Sequence, residues 1–307
     1  MTSEPQVSVI IPTVGRASLR AAVESALTQT APPMEVIVVV DADCEPDVPD
    51  SEAIRVLRTS GRVGPGRARQ LGIDSAKGDV IALLDDDDRW HDDKLEKQLR
   101  AAPQSGRWIL SCRYVRRAEG RRPVTLPERL IEPHERVAPY LMTLQSMNRA
   151  RPSLAVPTLM FPKTVADSVP LSASADSIHD DPMWLMKVQR ELSDLRILQI
   201  PDCLVEVNVT SGSLSRPGAD RSQDYIDWGV SELAGESKRV LGDYLMCSPV
   251  SSALEVGSFR GVFRSVAAAV RWGRPGLWAW IFASAAVVRI GVGKAKRHLA
   301  DTERSSR

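Results

Sequence analysis

The chain has 307 residues, 43% of them hydrophobic and 26% charged, and a formal net charge of +1 at pH 7. That length suffices for one large domain or one and a half, the composition argues against disorder, and the balanced charge argues against a dedicated nucleic-acid binder. The balance conceals an asymmetry: residues 256–307 hold ten Lys/Arg against two Asp/Glu, a net +8, so the rest of the chain carries −7.

In chain order, the apolar run Val7–Thr13 predicts a first strand that stops at a Pro-containing turn. Leu19, Val23, Ala26 and Leu27 then mark one face of a helix that ends before Pro32-Pro33. Glu35–Asp41 predicts a second buried strand and Ile54–Leu57 a shorter third. A glycine-rich loop from Gly61 to Gly66 leads into a helix, with Pro65 placed to start it. That helix stops at Gly78, and Val80–Leu84 follows as a strand buried on both faces. Another helix starts near Asp92, with Leu95 and Leu99 inward, and Trp108–Val115 forms the next strand. Strands alternating with helices at this spacing imply a parallel sheet with right-handed crossovers. Residues 1–115 thus read as a nucleotide-binding α/β half.

From 116 to 150 the pattern fades into a basic loop or hairpin tip, where Arg116, Arg117, Arg121 and Arg122 flank Glu119-Gly120. Strand-like segments return at Leu154–Phe161 and Ile197–Val209, with a helix over about Pro182–Leu192 between them. Residues 116–250 are expected to form the acceptor-binding half of the same domain, and 251–307 a basic, Trp-containing helical tail. The cysteines Cys44, Cys112, Cys203 and Cys247 form no CxxC pair, which points to neither a zinc site nor a disulfide framework and fits a reducing compartment. Met1–Pro5 lacks the basic and apolar stretches of a secretion signal, so a cytoplasmic place is expected.

The chemistry concentrates where Val80–Leu84 runs into Asp85-Asp86-Asp87-Asp88. A buried strand ending in carboxylates places negative charge at the carboxyl edge of the sheet, where open α/β sheets bind ligands. Four like charges repel, and a hard divalent cation bridging to phosphate oxygens would offset that repulsion. The blander alternative is a solvated acidic turn capping the next helix. Pro12-Thr13 and Asp41 would meet at the same edge, and a carboxylate there can accept hydrogen bonds from a base or a ribose.

Together these blocks resemble the family 2 glycosyltransferases, inverting enzymes with a GT-A fold. The matching stretches are Val9–Thr13, Ser25–Thr30, Glu35–Asp41, Gly66–Gly72, Ala76–Asp79, Leu83–Trp90 and Asp93-Lys94-Leu95. The resemblance implies a mostly parallel nucleotide-binding sheet flanked by helices, with a C-terminal helical extension. It implies that Asp85 and Asp87, on the family's DxD pattern, hold Mg²⁺ or Mn²⁺ against the donor diphosphate. Pro12, Thr13, Asp41, Asp85, Asp86 and Arg69 fall where the family binds the nucleotide-sugar, a UDP-sugar first among candidates. Gln70 stands where the family has Asn, and Asp86 adds a charge inside the DxD pattern. Asp180-Asp181 resembles the family's Glu-Asp motif at a helix start, with Asp181 on the catalytic base and Asp180 on the acid before it. Asp before Pro182 is also an ordinary helix cap. Ser211–Arg216 resembles the serine-rich loop after the last core strand.

In the reaction so implied, a sugar is displaced at C1 by an acceptor nucleophile, a carboxylate takes the acceptor's proton, and the product is inverted. The alternatives are a catalytically inactive nucleotide-sugar-binding scaffold and a nucleotidyl transferase. A DxD phosphatase is disfavoured, because its nucleophilic Asp would stand where Pro12-Thr13 does. The tail carries a twelve-residue apolar run, Leu277–Val288, with arginines and lysines on both sides and Trp272, Trp278 and Trp280 near one end. A bilayer span needs about 20 apolar residues. An interfacial helix on an anionic membrane surface, at the inner face of the membrane, is expected; a helix packed on protein is the alternative.

Overall fold

The computed structural model describes residues 5–146, 152–171, 178–209 and 219–305. Its elements are β1 (Val7–Thr13), α1 (Leu19–Leu27), β2 (Glu35–Val40), β3 (Ile54–Arg58), α2 (Pro65–Ser75), β4 (Val80–Leu83), β5 (Arg89–Trp90), α3 (Lys94–Ala101) and β6 (Trp108–Ala118). There follow β7 (Val124–Leu126), α4 (Val137–Met142), β8 (Met160–Pro162), α5 (Lys163–Ser168), α6 (Asp180–Glu191) and β9 (Arg196–Val209). The last four helices are α7 (Ser222–Glu232), α8 (Lys238–Glu255), α9 (Phe259–Trp272) and α10 (Leu277–Ser305). The contacts divide the chain into two compact units, residues 1–137 with 151–211, and residues 138–150 with 212–307.

The first unit is built on one nine-stranded sheet in the order β3-β2-β1-β4-β8-β6-β9-β5, with β7 paired to β6. The strands β3, β2, β1 and β4 run parallel, as the alternating pattern predicts, and β9 is parallel to β6. The strands β1, β2 and β4 are buried along their whole length, which is why they read as continuous apolar runs. Their side chains meet those of α1, α3 and β6 in a core that includes Ile11, Val23, Val38, Leu84, Leu95 and Leu110. Burying each such side chain contributes roughly 1.5–3 kcal/mol.

Two local expectations change. The strand expected over Leu154–Phe161 is a short 3-10 turn at Val156–Thr158, and only Met160–Pro162 pairs in the sheet. Tertiary partners explain the difference: the Trp90 indole donates to the Pro157 carbonyl at 2.8 Å, and the Gln98 amide donates to that of Thr158 at 2.9 Å. Backbone carbonyls claimed by side chains are not available to a ladder. The helix after the aspartates starts at Lys94, because Arg89–Trp90 first adds a two-residue strand against β9.

The second unit is helical. Its buried Asp243 accepts from Leu144 N, from Arg239 Nε at 2.7 Å and from Gly276 N at 2.7 Å, pinning the turn between α9 and α10 to α8. The apolar run Leu277–Val288 is the start of the 29-residue α10. No helix among the described residues is long and apolar enough to cross a membrane.

Candidate active site

Parallel register brings three strand ends to one edge. Thr13 lies opposite Val40, and Ile10 lies opposite Leu83. The segments leaving β1, β2 and β4 therefore carry Pro12-Thr13, Asp41 and Asp85–Asp88 to the carboxyl edge together. The Thr13 hydroxyl accepts from Gly15 N at 2.9 Å and donates to Asp86 Oδ2 at 2.6 Å. Asp41 is buried; its Oδ1 accepts from the Thr59 hydroxyl and Val63 N, and its Oδ2 from Gly64 N at 2.9 Å. In this structure Asp41 shapes the glycine-rich loop, and Oδ2 keeps one further acceptor position by the valence of a carboxylate.

The four aspartates alternate. Asp86 and Asp88 are buried, whereas Asp85 and Asp87 are partly exposed. Asp86 accepts from Thr13 and from Arg16 Nη1 at 2.7 Å. Asp88 accepts from Asn208 N at 2.8 Å, and the Asn208 amide donates to the Asp87 carbonyl at 2.7 Å. Burial first, then the charge of Asp85, pushes the Asp88 carboxyl well above the ordinary carboxylate range. Burial also raises Asp87; the Arg16 guanidinium, 3.0 Å from Asp87 Oδ2, opposes it.

Arg69 joins the two halves of the constellation. Its Nη2 lies 2.7 Å from Asp85 Oδ1 and its Nη1 3.1 Å from Asp181 Oδ1. Gly72 explains why Arg69, on α2, can sit so deep. A Cβ at Gly72 would come within 2.6 Å of Ile10 Cγ2 and 3.1 Å of Val39 Cγ2, so only glycine lets α2 settle onto β1 and β2. Arg69 is 5% exposed, its Nε lacks a partner among the described residues, and its two carboxylate neighbours keep it charged.

Asp181 stands in the first turn of α6, next to Asp180 and after His179, which adopts a left-handed conformation at φ 57°. Burial pushes the Asp181 carboxyl up to about 6; Arg69 opposes the shift, and Asp85 and Asp180 add to it. The side chain still has 38% of its surface open, so its proton can exchange with a molecule in the cleft. Asp180 Oδ1 is shielded and has no hydrogen-bond partner among the described residues. Burial lowers His179 to about 4, leaving a neutral imidazole. Beside Asp181 a recess is lined by Gly66, Leu171, Met183, Trp184 and Lys187.

Asp85 and Asp87 offer hard carboxylate oxygens, the donors Mg²⁺ and Mn²⁺ take. Among the described residues no group of three or more His, Cys, Asp or Glu side chains is arranged to hold a metal.

Sequence reasoning assigned no role to Arg16 or Asn208. Arg16 follows the first strand, and a lone arginine carries no periodic signal. Asn208 is brought in by the pairing of β5 with β9, 120 residues along the chain from Asp88. Gln70 holds Leu171 N at 2.8 Å instead of pointing to the cleft. Ser211–Arg216 lies outside the described residues.

The model of the family described as glycosyl transferase family 2 matches residues 8–162. An uncharacterized glycosyltransferase of Haemophilus influenzae is 31% identical over 230 residues, covering 71% of this chain and 75% of that protein. Another, from Rickettsia bellii, is 40% identical over 106 residues; the match covers 32% of this chain and 15% of that protein. Among solved structures, S. aureus TarS 1–349 in complex with UDP-GlcNAc superposes with a TM-score of 0.58 at 14% identity, covering 86% of this chain and 81% of that one. At that identity the likeness concerns the mixed α/β fold, of GT-A type.

Proposed function

The chain belongs to glycosyl transferase family 2, and from that premise we propose that it moves a sugar, with inversion at C1, from a nucleoside-diphosphate sugar to an acceptor nucleophile. A UDP-sugar is the first donor to test, since the TarS fragment carries UDP-GlcNAc on a similar fold. Donor binding falls to residues 1–115 and acceptor recognition to the elements that follow. The observation that carries the reading is the Arg69 bridge, which ties Asp85 on the donor side to Asp181 at the start of α6.

In this reading Pro12, Thr13 and Asp41 line the place of the base and ribose, and Asp86 fixes Thr13 and Arg16 around it. Asp85 and Asp87 would hold Mg²⁺ or Mn²⁺ beside the diphosphate. Such an ion supplies charge stabilisation for the departing nucleoside diphosphate. Arg69 and Arg16 add positive charge at the same edge. Asp181 keeps Oδ1 on Arg69 and takes the acceptor proton through its other oxygen. Asp180, beside it, raises its basicity. The acceptor oxygen forms its bond to C1 as the C1–phosphate oxygen bond breaks, the proton passes to Asp181, and no covalent enzyme intermediate is needed.

The test is a thermal-shift titration with UDP, GDP, dTDP and CDP, each with and without Mn²⁺. A ligand that binds only the native state raises the melting temperature. A shift for one nucleotide that requires the metal is expected. No shift with any of them would replace this reading with a scaffold that has lost donor binding.

A further inference from the structure

The outward faces of α9 and α10 invert the usual amphipathic arrangement. In α10 the buried positions are Ala279, Ala283, Ala286 and Ile290, while Leu277, Trp280, Val288 and Val292 are exposed. Leu277 is 70% exposed and Val288 65%. The buried positions recur every three to four residues and the exposed ones at intervals of three, eight and four, so each set occupies its own stripe. The smaller apolar side chains face the protein and the larger face outward, the reverse of what a solvated surface helix does. Likewise α9 buries Gly261, Val262, Ser265 and Ala269 and exposes Phe263 and Val270.

Charge follows the same faces. Arg260, Arg271, Arg274 and Arg289 are exposed, and the sequence has no Asp or Glu from 256 to 300. Arg271 lies 5.0 Å from the ring of Trp272, itself exposed. The corner between the helices is pre-set: Gly276 N is fixed on Asp243 Oδ1 at 2.7 Å and Arg274 N on the Lys238 carbonyl at 2.7 Å. Trp272, Leu277 and Trp280 thus project from a rigid turn between arginines.

We propose that this α9–α10 surface docks on an anionic lipid bilayer, with Trp272, Leu277 and Trp280 entering the interface and the arginines meeting lipid phosphates. Tryptophan with flanking arginine suits the boundary between headgroups and acyl chains, and no helix among the described residues is long and apolar enough to span. A second copy of the chain is the poorer occupant. A two-fold contact over this surface would set arginines against their own counterparts, with no carboxylate between residues 256 and 300 to receive them.

The experiment is flotation of the full chain with phosphatidylcholine vesicles, with and without about one-third phosphatidylglycerol, at low and high salt. Binding to the anionic vesicles alone, weakened by salt, is expected. Leu277→Glu with Trp280→Glu, and separately Arg271→Gln with Arg274→Gln, should each lower vesicle affinity at least about tenfold, with circular dichroism and melting unchanged. A full chain that stays unbound to anionic vesicles at low salt overturns the proposal, as does equal binding by both variants. So does a dimer in sedimentation that Leu277→Glu with Trp280→Glu dissociates, because a second copy then covers the face.

Discussion

Lys94 offers a test of the packing behind the acidic turn that needs no knowledge of the acceptor. It opens α3, is wholly buried, donates from Nζ to Gln98 Oε1 at 2.6 Å, and sits 3.9 Å from the centroid of Trp90. Burial pulls its pKa from the ordinary 10.5 down to about 7, opposed only by Cys112. At about 1.36 kcal/mol per pH unit, that fall corresponds to on the order of 5 kcal/mol against the ammonium form. The Trp90 face favours the cation by about 1–2 kcal/mol, leaving on the order of 3 kcal/mol. The sign follows from linkage. Between the folded value and 10.5 the unfolded chain holds a proton that the folded chain has shed, so stability rises with pH across that window and is lost as pH falls through about 7. Lys94→Met has no such titration. Urea unfolding of both proteins, followed by fluorescence between about pH 6 and about pH 10, should show wild type gaining about 3 kcal/mol relative to the variant over that range. A difference that stays constant across the series would mean that Nζ is hydrated and that the core around Trp90 is not as closed as the structure has it.

Other perturbations address the site directly. Asp87→Ala should abolish nucleotide binding that depends on Mn²⁺ in calorimetry; undiminished affinity would remove Asp87 from the metal pair. Asp181→Asn should slow release of the nucleoside diphosphate from the donor by about 10²–10⁴-fold while donor affinity stays within about twofold. With Asp181 held up at about 6, the wild-type rate should fall as pH drops through that value, about tenfold per unit below it, and level off above. A profile without that inflection would move the base elsewhere. Gly72→Leu should lift α2 from the sheet, costing about 1–3 kcal/mol in unfolding and weakening donor binding through Arg69; a fully stable, fully binding variant would show that α2 has room the structure does not show.

The donor half was legible because β1, β2 and β4 are buried on both faces, and burial of that kind writes itself as unbroken apolar runs. The parallel edge followed from the alternation of strand and helix. What failed to show was whatever depends on distant partners. The 3-10 turn at Val156–Thr158 is set by Trp90 and Gln98, and nothing within residues 154–161 announces it. Helix α8 is also hard to read from periodicity, since it buries seven consecutive residues from Val240 to Met246 and so has no single apolar stripe. Asn208 belongs to the site only because β5 pairs with β9.

The four aspartates were legible as a cluster but not as a division of labour, and that division is physical. Asp85–Asp88 forms a turn in which Asp88 N donates to the Asp85 carbonyl at 3.1 Å, and that turn leaves Asp86 and Asp88 inward while Asp85 and Asp87 stay on the open side. The inward pair meets fixed donors: Thr13 and Arg16 for Asp86, and the Asn208 backbone for Asp88. A buried carboxylate without such partners would be destabilising. These contacts make the inward pair part of the framework that holds β1, β4 and β9 in register at their ends. The outward pair is held by side-chain guanidinium groups, Arg69 on Asp85 and Arg16, which also binds Asp86, on Asp87. A side-chain cation can be redirected where a backbone N–H in a ladder cannot, so positive charge already stands at the two positions where the phosphates and their ion are proposed to arrive. The same Arg69 reaches Asp181, which gives a donor entering at the strand ends a direct electrostatic route to the group proposed to take the acceptor proton.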